Sequence, residues 1–251
     1  MIKTITSAQN PLIQRAIKLH TSKYRASFQE FIAEGGRTIH TLIESNLALR
    51  TLFATEENIT LAEKLTSSKN IILVPKALMN KMSTAGTPSG LLALFSIPAK
   101  KDITMLSGGI VLAQIQDPGN AGTLIRTAAA MNKKTVVFVE SVDPWSPKVV
   151  QASAGTIGFV SIFSLSWNEL INNKKHLKLY GLVVSEGSNP DTISTNNALL
   201  VIGNEANGIP QEWINQCDAT INLPMPGQCE SLNAAVAGSI ALYITTIKTN
   251  K

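Results

Sequence analysis

Between Glu230 and Lys248 the chain carries no charged residue, and just ahead of that run stands Leu223-Pro224-Met225-Pro226-Gly227. Two prolines so close together can neither donate to a central ladder nor continue a helix, so the apolar run Ala219 to Leu223 must end there as a strand. The charge-free run then reads as a helix. Ser231 or Asn233 can cap it, with Glu230 at its positive end and Lys248 at its negative end. A helix apolar on most sides must be buried on most sides. Its small residues Ala234, Ala235, Ala237, Gly238, Ser239 and Ala241 let another backbone come close. Its length and its Asn, Ser, Gly and Thr content argue against a membrane span. It is read as a core or subunit-interface helix whose polar Ser-Leu-Asn start faces a ligand.

Burying such a helix needs layers, and 251 residues with 44% hydrophobic and 16% charged supply one large domain or two small ones. The net charge of +5 is compatible with a nucleic-acid partner without requiring one. Cys217 and Cys229 are too few for a disulfide framework and wrongly spaced for zinc, so both read as free thiols in a reducing cytosol. His20, His40 and His176 are scattered, and no metal is expected. Neither an apolar leader nor an uninterrupted membrane-length run is present, which predicts a soluble, cytoplasmic protein.

Along the first half, Lys3, Arg15, Lys18, Lys23 and Arg25 all precede the first acid, Glu30. From Asn10-Pro11 onward Leu12, Ile13, Ala16, Ile17 and Leu19 recur at helical spacing, leaving the bases on the other face. Such a face can simply keep a helix soluble. Tyr24-Arg25 at its end favours RNA, being a planar pair suited to stacking on bases and gripping phosphate, so Lys18, Lys23, Tyr24 and Arg25 are the candidate RNA contacts. Helices are predicted over 37–45, 61–65 and 76–82, and strands around 52–54, 71–74 and 91–97. This is a compact α/β layer structure. Pro98-Ala99-Lys100-Lys101-Asp102 breaks the pattern, which divides the chain into a domain 1–98, a linker 99–106 and a domain 107–251.

The second half alternates more strongly. Ile110 to Ile115 is a nearly continuous apolar run, as in a strand buried on both faces. Further strands are predicted at 135–139, 159–163, 179–184, 198–202 and 219–223, with helices at 123–131, 147–154 and 167–177. The pitch points to a mostly parallel sheet with helices on both sides. Ligands of such sheets collect beyond the carboxyl ends of the strands. Three loops stand there: Asp117-Pro118-Gly119-Asn120-Ala121-Gly122 leading to Arg126, Gly203-Asn204-Glu205 through Gly208-Ile209-Pro210, and Leu223 through Asn233. Neither a GxGxxG fingerprint nor a GxxxxGK[ST] loop is present, which argues against a Rossmann dehydrogenase and a P-loop NTPase.

Taken in this order, the three loops resemble the motifs of the SpoU, or TrmH-like, RNA ribose 2′-O-methyltransferases, and the resemblance covers nearly the whole chain. Ser7, Asn10-Pro11, Tyr24-Arg25, Glu34-Gly35 and Thr87-Pro88-Ser89-Gly90 resemble the family's small, ribosomal-protein-like substrate-binding domain. Two positions depart from the family pattern: Ala206-Asn207 stands where glycine usually comes first, and Asn132 replaces a frequent glycine. Asn tolerates the left-handed conformation a helix end needs. The resemblance implies an α/β fold whose C-terminal, mostly parallel sheet holds a deep trefoil knot. It implies S-adenosylmethionine as methyl donor, contacted by Gly203, Leu223 and Leu232, and an active site completed across a homodimer. Asn120, Arg126, Glu205, Ser231 and Asn233 become the catalytic polar set, and ribosomal RNA the substrate. The alternatives are a transfer-RNA enzyme, a non-catalytic RNA binder of the same fold, and a small-molecule α/β enzyme.

Overall fold

Short apolar runs become strands, and the amphipathic segments between them helices, in the computed structural model of the chain, which describes residues 2–193, 197–228 and 231–247. In order, the first elements are β1 (Lys3–Thr4), α1 (Pro11–Lys18), α2 (Ser22–Phe28), β2 (Glu30–Glu34), α3 (Gly36–Glu44) and β3 (Leu49–Ala54). They continue with α4 (Ile59–Leu65), β4 (Ile71–Leu73), α5 (Lys76–Met82), β5 (Leu91–Ser96), β6 (Gly109–Ala113), α6 (Pro118–Ala130) and β7 (Thr135–Val139). The last are α7 (Pro147–Ala152), β8 (Ser161–Ser164), α8 (Trp167–Asn173), β9 (Lys178–Val183), β10 (Ala198–Ile202), α9 (Gln211–Ile214), β11 (Ala219–Asn222) and α10 (Ala234–Ile247). Two compact units result, Met1–Ala99 with Trp145–Gly158, and Lys100–Pro144 with Phe159–Lys251.

The first unit carries a five-stranded sheet in the order β1-β4-β3-β5-β2. β1, β4 and β3 run parallel, while β5 is antiparallel to both β3 and β2. Strand periodicity sends Leu92 and Leu94 of β5 to one face, against Ile13 and Ala16 of α1 and Leu78, Met79 and Met82 of α5. On the opposite face Phe31 stacks on Phe95 at 5.6 Å between ring centroids and meets Trp145 at 4.9 Å. Through Trp145 and α7, the stretch 145–158 belongs to this unit.

The second unit carries six strands in the order β11-β9-β10-β6-β7-β8, every pairing parallel. Helices cover both faces, which is why the strands are apolar throughout. Val111, Ala113, Val137, Val139, Leu199 and Val201 pack against Trp167 and Leu170 of α8 and Trp213 of α9. The alternate residues face α6 and α10, which pack on each other. A Cβ on Gly238 of α10 would lie 2.7 Å from side-chain atoms of both Leu124 and Ile202, so this helix approaches as closely as glycine allows. The hydroxyls of Thr127 and Ser239 pair at 2.8 Å across the same seam.

Several boundaries differ from those read in the sequence. The helix predicted from Thr123 begins at Pro118, because Asp117 caps it, its Oδ1 accepting from Asn120 N at 2.7 Å, and Pro118 fits the first helical position. Gly119, Asn120 and Gly122 therefore belong to the first turns of α6 and not to a loop. Asn233, not Ser231, caps α10, its Oδ1 accepting from Ala235 N and Val236 N at 2.9 and 3.2 Å. Glu230, Lys248 and Cys229, which figured in the sequence argument, lie outside the described residues. α10 is buried along one side only: Val236, Ile240, Tyr243 and Ile247 form a stripe 40–54% exposed. Asn132 adopts φ 54° at the end of α6, as its chemistry predicts.

Candidate functional site

At the carboxyl ends of β9, β10 and β11 the second unit has a hollow of about 320 Å³. Its walls include Val183, Ile202, Gly203, Glu205, Leu223, Met225, Ser231 and Leu232, together with Ala234 and Ala237 of α10. Gly203 is required there, since a Cβ at that position would run into the backbone of Gly208 and Ile209. Asn204 and Gly208 exchange two backbone hydrogen bonds of 3.0 Å, with Gly208 at φ 67°, closing the loop between them. Asn204 Oδ1 accepts from Ala206 N at 2.9 Å and Asn207 N at 3.1 Å, so Ala206-Asn207 is accommodated with negative φ at both residues.

A chain of side-chain amides joins the three segments. Asn120 Nδ2 donates to Glu205 Oε1 at 2.7 Å, and Asn233 Nδ2 donates to Asn120 Oδ1 at 3.0 Å. The chemistry fixes the direction of every link. A carboxylate only accepts, so Asn120 must turn its NH2 to Glu205 and its oxygen to Asn233. Asn233 then donates, leaving its own oxygen for the N–H groups that open α10. Asn120 is 9% exposed, and at such a position a broken link would leave a polar group without a partner. Asn204 extends the chain, donating from Nδ2 to Gln114 O at 2.8 Å.

Of the residues singled out from sequence, Asn120 thus bridges Glu205 and Asn233, and Gly203, Glu205, Leu223, Ser231 and Leu232 line the hollow. Arg126 does not line it. Its side chain is exposed on α6 and has no hydrogen-bond or ion-pair partner among the described residues. The sequence placed Asn204 in the second loop without a role for it, and Gln114, which accepts from it, has no signal without the strand register.

In the first unit Lys18 and Lys23 are exposed, and Lys18 Nζ sits 5.5 Å from the centre of the Tyr24 ring, which itself stacks on Phe28 at 5.8 Å. Arg25 corrects the expectation placed on it. It is 4% exposed and its Nη1 donates to Leu19 O and His20 O at 2.8 and 2.9 Å, so it closes the turn after α1 from inside and offers no grip for phosphate.

Cys217, packed near the Trp167–Trp213 stack, has its thiol pushed up to about 11 by burial and then by the charge of Asp218, leaving it a poor nucleophile. Among the described residues no group of three His, Cys, Asp or Glu could hold a metal ion, and no helix is long and apolar enough to cross a membrane.

Comparison with known proteins bears on both units. Residues 10–93 match the MRM3-like substrate binding domain, and residues 109–243 match the SpoU rRNA Methylase family. The Bacillus subtilis protein named 23S rRNA (guanosine(2553)-2′-O)-methyltransferase RlmP is 26% identical over 246 residues, covering 96% of this chain and 98% of that protein. The Streptomyces viridochromogenes 23S rRNA (uridine(2479)-2′-O)-methyltransferase is 28% identical over 266 residues, covering 96% and 91%. A crystal structure of an AdoMet-bound rRNA methyltransferase from Sinorhizobium meliloti shares the fold, with a TM-score of 0.84 at 24% identity over 97% of each chain. With its parallel sheet, its three joined segments and a family match spanning more than half its length, the chain belongs to the SpoU rRNA methylase family.

Proposed function

We propose that the hollow holds S-adenosylmethionine and that Asn120, Arg126, Glu205, Ser231 and Asn233 carry transfer of its methyl group to a ribose 2′-hydroxyl of ribosomal RNA. The observation that carries this reading is the bonding of Asn120, Glu205 and Asn233 beside a hollow walled by Gly203, Leu223 and Leu232. A volume of about 320 Å³ falls in the range of small-molecule sites, and the mixture of leucine side chains with glycine backbone suits a ligand with both a flat apolar ring and polar groups. Bound there, the cofactor supplies a methyl group activated by a sulfonium. The protein's work is placement, since displacement at that methyl needs the attacking oxygen in line.

Arg126 cannot serve as the base, because a guanidinium does not deprotonate in proteins. It holds an RNA phosphate and steadies the negative charge that grows on the 2′-oxygen, while the proton leaves to water or to phosphate. Glu205 accepts from the amide of Asn120 and so ties the second loop to α6, which assigns it to arranging the loops. Ser231, exposed on the wall, is free to hydrogen-bond donor or substrate. The stripe Val236, Ile240, Tyr243 and Ile247 favours a homodimer, in which each copy lends Arg126 to the hollow of the other. Lys18, Lys23 and the Tyr24 ring give the first unit its RNA contacts, and the relatives named for 23S rRNA favour ribosomal over transfer RNA.

The test incubates the protein with radiolabelled S-adenosylmethionine and unmodified 23S rRNA, then maps the product by alkaline hydrolysis. One phosphodiester bond made resistant to alkali is expected. Label on a base, or on transfer RNA alone, would overturn the reading.

A further inference from the structure

The geometry points to Gln114 and Glu140 as a positioning pair that sets the shape of the Gly203–Gly208 loop, and through it the affinity for the methyl donor; this rests on the function proposed above. Gln114 follows β6 and Glu140 follows β7, neighbouring strands paired in register up to Ala113 and Val139. Both residues adopt left-handed backbone, φ 59° and φ 50°, which side chains other than glycine rarely take. Strained backbone of this kind persists only where the surroundings over-determine it, and it gathers at functional sites.

The surroundings here are specific. Gln114 N donates to Val139 O at 2.9 Å, and Gln114 Nε2 donates to Glu140 Oε2 at 2.8 Å. Gln116 Nε2 donates to Glu140 O at 2.9 Å, so the turn at Glu140 is held from its backbone as well. Fixed in this way, Gln114 offers its carbonyl to Asn204 Nδ2 at 2.8 Å. That bond anchors the donor end of the Asn204 amide, which also faces Glu205 Oε2 at 3.4 Å, while its oxygen accepts from the N–H groups of Ala206 and Asn207. Asn204 is also the residue that closes the loop onto Gly208. The order of dependence runs from the Glu140 carboxylate to the Gln114 backbone, to the Asn204 amide, to the loop that walls the hollow.

Neither residue lines the hollow, and both reach its loop only through Asn204, so both are positioning residues. Glu140 is exposed, and an exposed hydrogen bond of this kind adds little to stability. Loss of the pair should therefore register in binding and leave folding nearly untouched.

The test measures S-adenosylmethionine affinity by calorimetry on the full chain, with thermal unfolding alongside. Glu140→Ala and Gln114→Ala each weaken binding by about 3- to 10-fold. The double variant is no weaker than the weaker single, because the two act as one unit. Glu140→Gln, whose amide oxygen can still accept from Gln114 Nε2, returns to within about twofold of wild type. In steady state the KM for the donor rises while kcat at saturating donor holds. Wild-type affinity in Glu140→Ala, additive singles, or a Glu140→Gln as weak as Glu140→Ala would each overturn the pair alone. A wild-type protein that binds no S-adenosylmethionine would overturn the proposed function and the pair with it.

Discussion

Arg25 on α2 of the first unit and Arg126 on α6 of the second both read from sequence as groups for an anionic ligand. The structure uses them oppositely. Arg25 is buried against the carbonyls that follow α1, where a cation meets the negative end of a helix. Arg126 stands exposed with no ion pair among the described residues. The difference lies in where each arginine stands relative to a helix end. The end of α1 is satisfied by a guanidinium, whereas the end of α6 is closed by Asn132 in the left-handed conformation. Backbone N–H groups of Met131, Asn132 and Lys133 satisfy the end of α6, and Arg126, in the body of the helix, is left to the solvent and to ligands.

The sharpest way to break this comparison is to remove each arginine. Arg126→Ala should lower kcat for RNA methylation by about 10²- to 10³-fold, the usual cost of deleting a charge-stabilising donor, with no loss of thermal stability. Arg126→Lys keeps the charge and loses the planar fork, so it should recover only part of the rate; a wild-type rate would end the orienting role. Arg25→Ala should do the reverse. It deprives two carbonyls of their donor at a cost of about 1–3 kcal/mol, read by urea denaturation, while residual folded protein methylates normally. Unchanged stability with lost RNA affinity would restore the phosphate grip that the structure denies it.

The third comparison is smaller and concerns the bases that do remain outside on the first unit. Lys18→Ala with Lys23→Ala should leave stability alone and reduce the slope of log affinity against log salt by about 1.5, if each lysine neutralises one phosphate. An unchanged slope would mean that the face is merely solvated.

What could be read in the chain follows from the range of the interactions. Strands such as Ile110 to Ile115 and Thr135 to Val139 are legible because burial on both faces leaves an uninterrupted apolar run. The gathering of Asn120, Gly203 and Leu223 at one rim is legible because each follows a parallel strand. β2 escaped notice because its ends are Glu30 and Glu34, yet Glu30 is buried and neutralised by Arg15 at 2.7 Å. The start of α6 escaped because Asp117-Pro118-Gly119 serves equally as a turn and as a capped first turn. Three further features depend on partners far along the chain: the inward course of Arg25, the packing of Trp145 on Phe31, and the Gln114–Glu140 contact. Local pattern carries no trace of such pairings.

The smallest expected effect concerns cations of the second unit that, unlike Arg126, are paired. Asp218, just ahead of β11, accepts from Lys174 Nζ, Lys178 Nζ and Leu179 N, each at 2.9 Å. Burial alone would raise its pKa, but the bond from Leu179 N–H, followed by those from Lys178 and Lys174, holds the carboxyl well below the usual carboxylate range. In the unfolded chain the same group titrates near about 4. Between those two values the unfolded state binds more protons, so the contribution of Asp218 is complete above about pH 4 and drains away as the pH falls through the folded value. Solvent screens these lysines, and Asp218→Asn should cost about 1 kcal/mol at most at pH 7, with the two stability curves converging in acid. Methylation should be unaffected, because Asp218, Lys174 and Lys178 are not among the residues that wall the hollow. A variant of normal stability with a raised KM for RNA would instead make this trio part of the RNA face beside Arg126.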